Sequence, residues 1–441
     1  MIRRLFIFIS TIILLLTACS DNDSFSADAS HRLTFSKDTV RLDTLFSTVP
    51  SSTYTFWVYN NSGDGIRIRS VRLDRGSQSG FRVNVDGSFL NPVANDIEVR
   101  KGDSIRVFVE ITSLETKTED PKLVEDNLLF TLESGAVQRV NLRTYSWDAD
   151  KITNLVVSGN QTIESKKPII VYGRGILIEK GATLTLKNTS LYFHADAGIE
   201  VQGKLEVENV QMRGDRLDHM FDYLPYDRVS GQWKGITVRP KSQGIVMKKT
   251  VVRNAATALS CDSTTVTLEQ VAIYNNQGFG LTAHDSEVSL DNCLLSNSLN
   301  DCLVLRGCQA KVNQTTLAQF YPFSANRGAA LRFAKTEKPL YLVCTNLVVT
   351  GYDSDVVFRE GRDGESVEFS FENCLLRTPS LDDADAFKDI IWEKPTDAIQ
   401  GQKHFVTFDD VNFIYDFRLK EESPAYEKKM GWTGIDDNTT K

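Results

Sequence analysis

Apolar and polar residues alternate along short segments in the central part of the chain, and these segments recur about every 22 residues. Three successive segments read Leu259-Ser260-Cys261, Leu281-Thr282-Ala283 and Leu303-Val304-Leu305. A period of two is typical of a β-strand, because successive side chains of a strand point to opposite faces. The pattern predicts three short strands in each turn, with every strand stacked on its equivalent in the next turn.

The repeated strands extend from Gly198 to Thr378 and resemble the right-handed parallel β-helix. On this resemblance we predict a β-helix, a solenoid of stacked turns, at residues 149–378, with insertions at 214–232 and 321–329. Each turn rises about 4.8 Å above the previous one, and no turn can bury its apolar side chains alone. Because this fold serves lyases, hydrolases, adhesins and scaffolds, the architecture does not define an activity.

One position of the repeat carries an amide side chain in three successive turns. Asn275, Asn297 and Gln319 lie one period apart. Buried amides that stack in this way can hydrogen-bond the neighbours above and below. We therefore expect a polar ladder at this turn.

The residues before the repeat, 33–148, form short alternating segments separated by turn sequences such as 60–65. Roughly 110 residues of such segments predict an antiparallel β-sandwich. The strings at 55–61 and 66–68 resemble the Ig-like modules that precede β-helices in Bacteroidota lipoproteins. The predicted class is therefore all-β, with an N-terminal antiparallel Ig-like β-sandwich followed by the right-handed parallel β-helix. Because the end of a solenoid exposes unpaired edges, residues 379–441 are predicted to form a C-terminal cap.

The first residues of the chain are typical of a secretion signal. Arg3 and Arg4 precede an apolar run at 5–16, which is too short to span a bilayer. The run ends Leu-Thr-Ala-Cys, which resembles a bacterial lipobox. We therefore predict a lipoprotein signal peptide at 1–18, lipidation of Cys19 and a tether at 19–32 that joins the chain to the membrane.

The residues after Cys19, Ser-Asp-Asn-Asp, resemble the acidic tag that directs lipoproteins to the outer face of the outer membrane in Bacteroides-like bacteria. The alternative is a solvated, flexible tether without a targeting role. The resemblance implies a surface-exposed outer-membrane lipoprotein.

Charge and composition exclude several classes of function. The formal net charge is −8 and no dense basic patch occurs, which argues against nucleic acid as a partner. The five histidines show no metal-ligand spacing, and we expect neither a metal nor a cofactor. The cysteines after Cys19 follow the strand pattern and are expected to be core residues. Cys302 and Cys308 could alternatively form a disulfide.

Both insertions occur between the third strand of one turn and the first strand of the next, so they leave the solenoid on the same side. About four turns, or roughly 19 Å, separate them. We name these two segments and the turns between them the insertion face. Insertions on one face of a solenoid often mark its binding surface.

The insertion face is rich in aromatic, amide and charged side chains, which suits a polysaccharide or an envelope protein. Aromatic faces stack on pyranose rings while amides bind hydroxyl groups. Alternatively, the loops only cover a sheet face and their Arg and Asp side chains pin them there. The candidate ligand-binding residues are Arg216, His219, Tyr223, Tyr226, Arg228, Trp233, Asn276, Asn300, Asp301, Tyr321, Phe323 and Arg327.

Catalysis on this face would need a suitably spaced pair of carboxylates in a glycoside hydrolase, or a Lys or Arg base in a lyase. The candidate carboxylates are Asp215, Asp218, Asp222 and Asp227. The aspartate and Gly-His-Gly signatures of polygalacturonase-like β-helices are absent from the sequence. We therefore expect non-catalytic binding, with a polysaccharide lyase or glycoside hydrolase, or a structural module of a surface assembly, as alternatives.

Overall fold

Strands make up nearly all of the regular structure in the part of the chain that the structure describes, and the three helices there are short 3-10 turns at Gly76–Ser79, Tyr226–Arg228 and Gly401–His404. The computed structural model describes residues 24–361, 367–379 and 385–435. The predicted signal peptide and Cys19 lie outside these ranges. None of the helices in the described ranges is long and apolar enough to cross a bilayer. The chain divides into two units after Asp148.

The first unit is a β-sandwich whose inward-facing side chains form one buried cluster, as predicted. Thr39–Arg41 and Leu45–Phe46 pair in parallel with Val137–Trp147, so the second sheet is not wholly antiparallel. The Ig-like character of this unit remains a prediction. In spatial order, the first sheet contains Thr34–Phe35, Tyr54–Tyr59, Ser104–Ile111, Phe81–Val85 and Ser88–Phe89, and the second contains Thr39–Arg41, Val137–Trp147, Lys122–Leu132, Ile66–Leu73 and Val93–Val99, with Leu45–Phe46 beside Val137–Trp147.

Part of the segment that we assigned to the tether belongs to the sandwich. Phe25 forms an isolated parallel bridge with Gly65, and the guanidinium of Arg67 lies 4.9 Å from the centre of the Phe25 ring. A Cβ on Gly65 would lie 2.8 Å from that ring, so the close approach requires glycine at this position. The predicted tether is therefore attached to the sandwich near residue 25, at the start of its described part.

In the second unit, 24 of the described strands form a parallel solenoid. The strands are Asp150–Val157, Asn160–Glu164, Ile169–Ile178, Thr183–Phe193, Gly198–Val201, Lys204–Gly214, Ile236–Val238, Gly244–Arg253, Leu259–Asp262, Thr265–Asn276, Leu281–His284, Glu287–Asp291, Leu294–Ser298, Leu303–Arg306, Gln309–Asn313, Thr316–Gln319, Leu331–Ala334, Tyr341–Thr345, Val348–Gly351, Val357–Glu360, Glu368–Glu372, Leu375–Leu376, Phe387–Lys388 and Ile391–Trp392.

The predicted repeat determines the register between turns. Leu259 pairs with Leu281, which pairs with Leu303, and the second strands repeat the same one-period offset. The inward side chains of all three strands join one buried core along the solenoid. The predicted parallel stacking is therefore confirmed.

Within the described residues, the turn between the second and third strands places one residue in the left-handed region in nine successive turns. Asparagine tolerates this conformation better than most side chains. Two pairs of these residues are joined by amide hydrogen bonds, Asn209 to Asn188 at 2.9 Å and Asn373 to Asn346 at 2.7 Å. The nine residues are Asn188, Asn209, Lys249, Gln270, Asn292, Gln314, Asn346, Asn373 and Asp389, with φ between 46° and 58°.

The amide ladder that we predicted at Asn275, Asn297 and Gln319 does not form. Nδ2 of Asn275 and Oδ1 of Asn297 have no hydrogen-bond partner within the described residues, and Gln319 donates to backbone carbonyls. Asn275 and Asn297 have positive φ values, 59° and 49°, whereas Gln319 ends a strand in extended conformation, so the three backbones do not present their amides alike. One residue further along, Asn276 donates to Ser298 Oγ at 3.3 Å.

The buried cysteines are core residues. Cys302 and Cys308 are both free, and each thiol approaches a backbone carbonyl, that of Ala318 and that of Ala283 respectively. Burial raises the pKa of Cys302 to about 12. The alternative of a disulfide between these two cysteines is therefore not realised.

The C-terminal segment lies along the side of the solenoid, although we predicted that it would close the end. Its hairpin, Phe405–Asp409 paired with Ile414–Leu419, packs on outward-facing apolar side chains of the third strands. Nε2 of Gln314 donates to the carbonyls of Lys429 and Gly431 at 2.6 and 2.7 Å. The C-terminal segment lies here because the third strands carry apolar side chains on both faces, so their outer face must also be shielded from water. That outer face includes Ala272, Leu294, Ala318, Phe320, Val348 and Leu375.

A buried ionic network joins this segment to the last turns. Arg377 donates to the carboxylate of Glu393, and His404 Nε2 lies 3.2 Å from the other carboxylate oxygen. All three side chains are at most 5% exposed. Burial alone would raise the pKa of Glu393, but the hydrogen bond and charge of His404, with bonds from Gly401 and Arg377, hold that pKa below its ordinary value.

We expect Glu393→Gln to lower the free energy of unfolding by about 3 kcal/mol, because Arg377 would stay buried without a carboxylate. The measurement is urea unfolding of residues 20–441 from pH 7 to pH 3. A group with a lowered pKa contributes its full stability above its ordinary pKa, here 4.5, and loses it as the pH falls through the folded-state value. The difference between wild type and variant should therefore shrink below pH 4.5.

Glu372→Gln is the matched control, since Glu372 pairs with the exposed Lys388 on the last turns. An exposed pair contributes about 0–1 kcal/mol. Equal losses in the two variants would contradict a special role for the buried network.

Candidate functional site

The first insertion forms a hairpin that projects from the solenoid. His219–Phe221 pairs with Leu224–Pro225, and a 3-10 turn at Tyr226–Arg228 leads back towards the core. Proline at 225 fixes the extended backbone that precedes this turn. The sequence therefore returns to the solenoid within a few residues of the hairpin tip.

Asp227 fastens the hairpin to two strands of the solenoid. Its carboxylate lies 2.7 Å from Arg213 Nη1 and 3.1 Å from Arg253 Nη2, and both arginine side chains are at most 16% exposed. Burial lowers the pKa of Arg213, while Tyr274 and Asp227 outweigh burial and raise that of Arg253. Both guanidinium groups form their ion pair with this single carboxylate, so Asp227 has a structural role. We name Asp227, Arg213 and Arg253 the Asp227 clamp.

Asp218 and Tyr226 hold the other side of the hairpin through Arg216. The Arg216 guanidinium donates to both oxygens of Asp218, at 2.7 and 2.6 Å. The same guanidinium lies 3.9 Å from the centre of the Tyr226 ring, a cation–π distance. These three predicted site residues therefore contact one another.

Asp215 belongs to a second cluster at the base of the hairpin. His194 Nδ1 lies 2.7 Å from Asp215 Oδ2, and the Tyr172 and His194 rings are 5.4 Å apart. Burial, followed by the charge of Asp215, raises the pKa of Tyr172. The His194 side chain is 55% exposed, so this His–Asp pair is open to solvent.

The hairpin tip carries large apolar side chains in solvent. Met220, Phe221 and Tyr223 are 45%, 53% and 69% exposed. The Phe221 and Tyr223 rings are 5.6 Å apart and nearly parallel, with an interplanar angle of 11°. Asp222 and His219 are exposed beside them. The tip therefore presents an aromatic surface with polar groups at its edge.

The second insertion contacts the first one, despite the expected separation of about four turns. The hydroxyl groups of Tyr321 and Ser230 are 2.7 Å apart. Tyr321 is buried, whereas Phe323 is 43% exposed and packs on Phe413 at 5.4 Å. The guanidinium of Arg327 lies over the Tyr352 ring at 4.7 Å. The two insertions therefore form one continuous surface.

Asn300 and Asp301 lie at the turn beside the second insertion. Asn300 is exposed, but Asp301 is buried and accepts hydrogen bonds from Arg332 at 2.8 and 3.0 Å. Backbone N–H of Ala329 also donates to Asp301. Asp301 therefore fastens the return of the second insertion.

Trp233 and Asn276 lie in the interior and do not form part of a surface. Trp233 is 1% exposed, stacks on Phe193 at 4.2 Å and donates its indole N–H to the Arg253 carbonyl. Asn276 is fully buried and accepts a hydrogen bond from the backbone N–H of Ala255. The structure thus gives both residues a core role where we had predicted ligand contact.

The C-terminal hairpin supplies residues that our sequence analysis did not assign to the site. Asp410 accepts hydrogen bonds from the hydroxyl groups of Tyr352 and Tyr415. Phe323, Arg327, Tyr352, Asp410 and Phe413 line a cavity of about 480 Å³. The aromatic residues at 405–417 could have indicated that this hairpin contributes to the site, but we interpreted them only as part of a cap.

No group of three or more His, Cys, Asp or Glu side chains in the described ranges is placed to hold a metal ion. The chemistry of the insertion face is therefore that of aromatic rings, ion pairs and hydrogen bonds.

Residues 145–317 match the family described as right handed beta helix region. The solenoid is a right-handed β-helix. No curated protein matches the chain.

Three solved structures are similar to parts of the chain. The family 123 glycoside hydrolase from Clostridium perfringens shows 8% identity over 27% of this chain and 26% of that one, with a TM-score of 0.19. The periplasmic chaperone SfaE shows 13% identity over 26% and 57%, with a TM-score of 0.19. The GH87 α-1,3-glucanase catalytic unit from Streptomyces thermodiastaticus shows 8% identity over 77% and 89%, with a TM-score of 0.14. The chain spans about a quarter of the first protein and just over half of the second. Likenesses this weak carry no functional argument.

We expect Asp227→Asn to destabilise the hairpin, because Arg213 and Arg253 would face each other without a carboxylate. Asp227 and the two arginines are partly exposed, so the free energy of unfolding should fall by about 2 kcal/mol, which is less than for a fully buried ion pair. Trypsin should also cleave the hairpin faster than in the wild type. Asp222→Asn is the control, since Asp222 lies exposed at the tip, and it should change stability by less than about 0.5 kcal/mol. Unchanged stability and cleavage in Asp227→Asn would contradict the clamp.

Proposed function

We propose that this protein is a lipid-anchored, cell-surface β-helix protein that binds glycans through the insertion face without cleaving them. The anchor would be the lipid on Cys19, and the acidic residues that follow Cys19 would direct the protein to the outer face of the outer membrane. The observation that carries the binding proposal is the hairpin tip, with Phe221 and Tyr223 stacked and exposed.

The hairpin tip supports a glycan ligand for a physical reason. A large apolar group gains free energy when it leaves water, so aromatic rings held in solvent on a fastened loop favour contact with a partner. Parallel rings present flat faces that would stack on the C–H face of a pyranose, and the exposed Asp222 and His219 beside them would bind its hydroxyl groups. The Asp227 clamp limits the ordering cost of binding, because the tip is already fixed.

The partners of the carboxylates support binding over cleavage. Asp218 and Asp227 are each engaged by arginine, and Asp301 is buried against Arg332. The oxygens of a carboxylate paired in this way are occupied by a guanidinium and are less available to a substrate. Glycoside hydrolysis needs one carboxyl group that donates a proton and a second that acts as base or nucleophile.

One observation favours polysaccharide cleavage as a second candidate. The His194–Asp215 pair is hydrogen-bonded, and its imidazole is exposed at the base of the hairpin. Histidine oriented by a carboxylate is a common general base. In this case Asp215→Asn would abolish the release of sugar ends but leave retention of the polysaccharide unchanged.

We expect residues 20–441 to retain at least one polysaccharide on an array without releasing reducing or unsaturated ends. The double variant Phe221→Ala, Tyr223→Ala should lose retention by about tenfold or more, because two aromatic contacts of about 0.5–1.5 kcal/mol each are removed. Tyr341→Ala is the matched control, since Tyr341 is 40% exposed on a solenoid strand away from the insertions.

Three outcomes would overturn the proposal. Equal retention by the double variant and the control would remove the hairpin from the binding site. Released sugar ends that depend on Asp215 would make the protein an enzyme. Absence of retention on every polysaccharide would favour an envelope protein as the partner or a structural role in a surface assembly.

A further inference from the structure

A second cavity lies beside the insertion face, between the outer side of the third strands and the C-terminal segment. Its volume is about 510 Å³, within the range of about 300–1,000 Å³ typical of small-ligand sites. Arg228 from the hairpin, Tyr274 and Asn297 from the solenoid, and Tyr415 and Trp432 from the C-terminal segment all line it. We name this space the lateral cavity.

The charge in the lateral cavity is positive. Asp416 and Arg418 also line it, but they pair with each other at 2.5 Å. Arg228 has no ion pair within the described residues, although its charge acts on Tyr415 and opposes the increase in the pKa of that residue. A guanidinium without an ion-pair partner favours an anionic ligand.

The cavity wall also contains polar groups without partners. Asn297 is 4% exposed, and its Oδ1 accepts no hydrogen bond from the described residues. The indole N–H of Trp432, which lines the same cavity, also has no acceptor within the described ranges. Buried polar groups are nearly always hydrogen-bonded, so these two require partners that the protein does not supply. A ligand with both donors and acceptors would satisfy them.

Aromatic rings complete the wall. Tyr274 belongs to the solenoid and Tyr415 and Trp432 to the C-terminal segment, so these rings meet only because that segment packs along the solenoid. Rings, one amide and one guanidinium are the combination that recognises a sugar ring with hydroxyl groups and a negative charge.

We propose that the lateral cavity binds a pyranose that carries a carboxylate, that is, a hexuronate. Arg228 pairs with the carboxylate, Asn297 and Trp432 bind hydroxyl groups, and the aromatic rings pack against the sugar. This site does not include the residues of the hairpin tip, so it stands whether or not the tip binds a glycan.

The test is calorimetric titration of residues 20–441 with glucuronate and with glucose, which have the same ring and differ at the carboxylate. Glucuronate should bind at least about tenfold more tightly than glucose, the ratio expected from a charge-assisted hydrogen bond. Arg228→Gln should remove that difference. Trp432→Phe, which keeps a ring and loses the N–H, should weaken both ligands.

The control is Arg174→Gln, which changes an exposed arginine on the first turns and should leave both affinities unchanged. Preserved far-ultraviolet circular dichroism and an unchanged urea midpoint exclude misfolding of the Arg228 and Trp432 variants. A tetrasaccharide with internal glucuronate distinguishes the source of the ligand: tighter binding than the free sugar indicates a polysaccharide, and weaker binding indicates a free sugar acid.

Equal affinities for glucose and glucuronate, or the same preference in Arg228→Gln, would overturn the proposal. So would the absence of saturable binding by either sugar. The double variant Phe221→Ala, Tyr223→Ala should bind glucuronate like the wild type, so that loss of array retention and loss of glucuronate binding are independent results.

Discussion

Backbone pairing between successive turns is the interaction on which the rest of the structure depends. In a parallel solenoid, each strand has its hydrogen-bond partners only in the turns above and below, so every turn must bend at the same place. The nine left-handed residues between the second and third strands meet this requirement. Five of them are asparagine, and amide hydrogen bonds join Asn209 to Asn188 and Asn373 to Asn346. The residue that permits the bend therefore also connects successive turns. Any insertion has to avoid this turn, and both insertions do so.

The outer face of the third strands explains the position of the C-terminal segment. Leu294 and Val348 are fully or nearly fully buried although they point away from the solenoid core. Cover from the Phe405–Asp409 and Ile414–Leu419 hairpin removes this apolar surface from water. The same packing brings Tyr415 and Trp432 to the base of the first insertion. A requirement of stability has therefore assembled the walls of a cavity from residues far apart in the sequence.

The sequence predicts those parts of the structure that depend on local periodicity. The register of Leu259, Leu281 and Leu303 follows from a constant spacing, and the insertions are visible because they interrupt it. Trp233 was assigned to a ligand because an aromatic residue at the end of an insertion is equally consistent with the loop and with the next strand. The contact between Thr316 and Trp432 spans 116 residues, and no local pattern encodes it. Contacts of this kind decide where the candidate site lies.

The distribution of ion pairs separates the structural charges from the available ones. Arg213 and Arg253 share Asp227, and Arg216 pairs with Asp218, so these charges hold the hairpin and each guanidinium has a carboxylate partner. Arg228 follows Asp227 directly, yet it points into the lateral cavity wall and has no ion pair within the described residues. Of these two neighbouring residues, Asp227 therefore fastens the hairpin, whereas the charge of Arg228 remains available to a ligand. A charge that already has an ion-pair partner gains little binding free energy from a ligand, whereas an unpaired charge gains much. Recognition on this face should therefore depend on Arg228 more than on the four carboxylates that the sequence suggested.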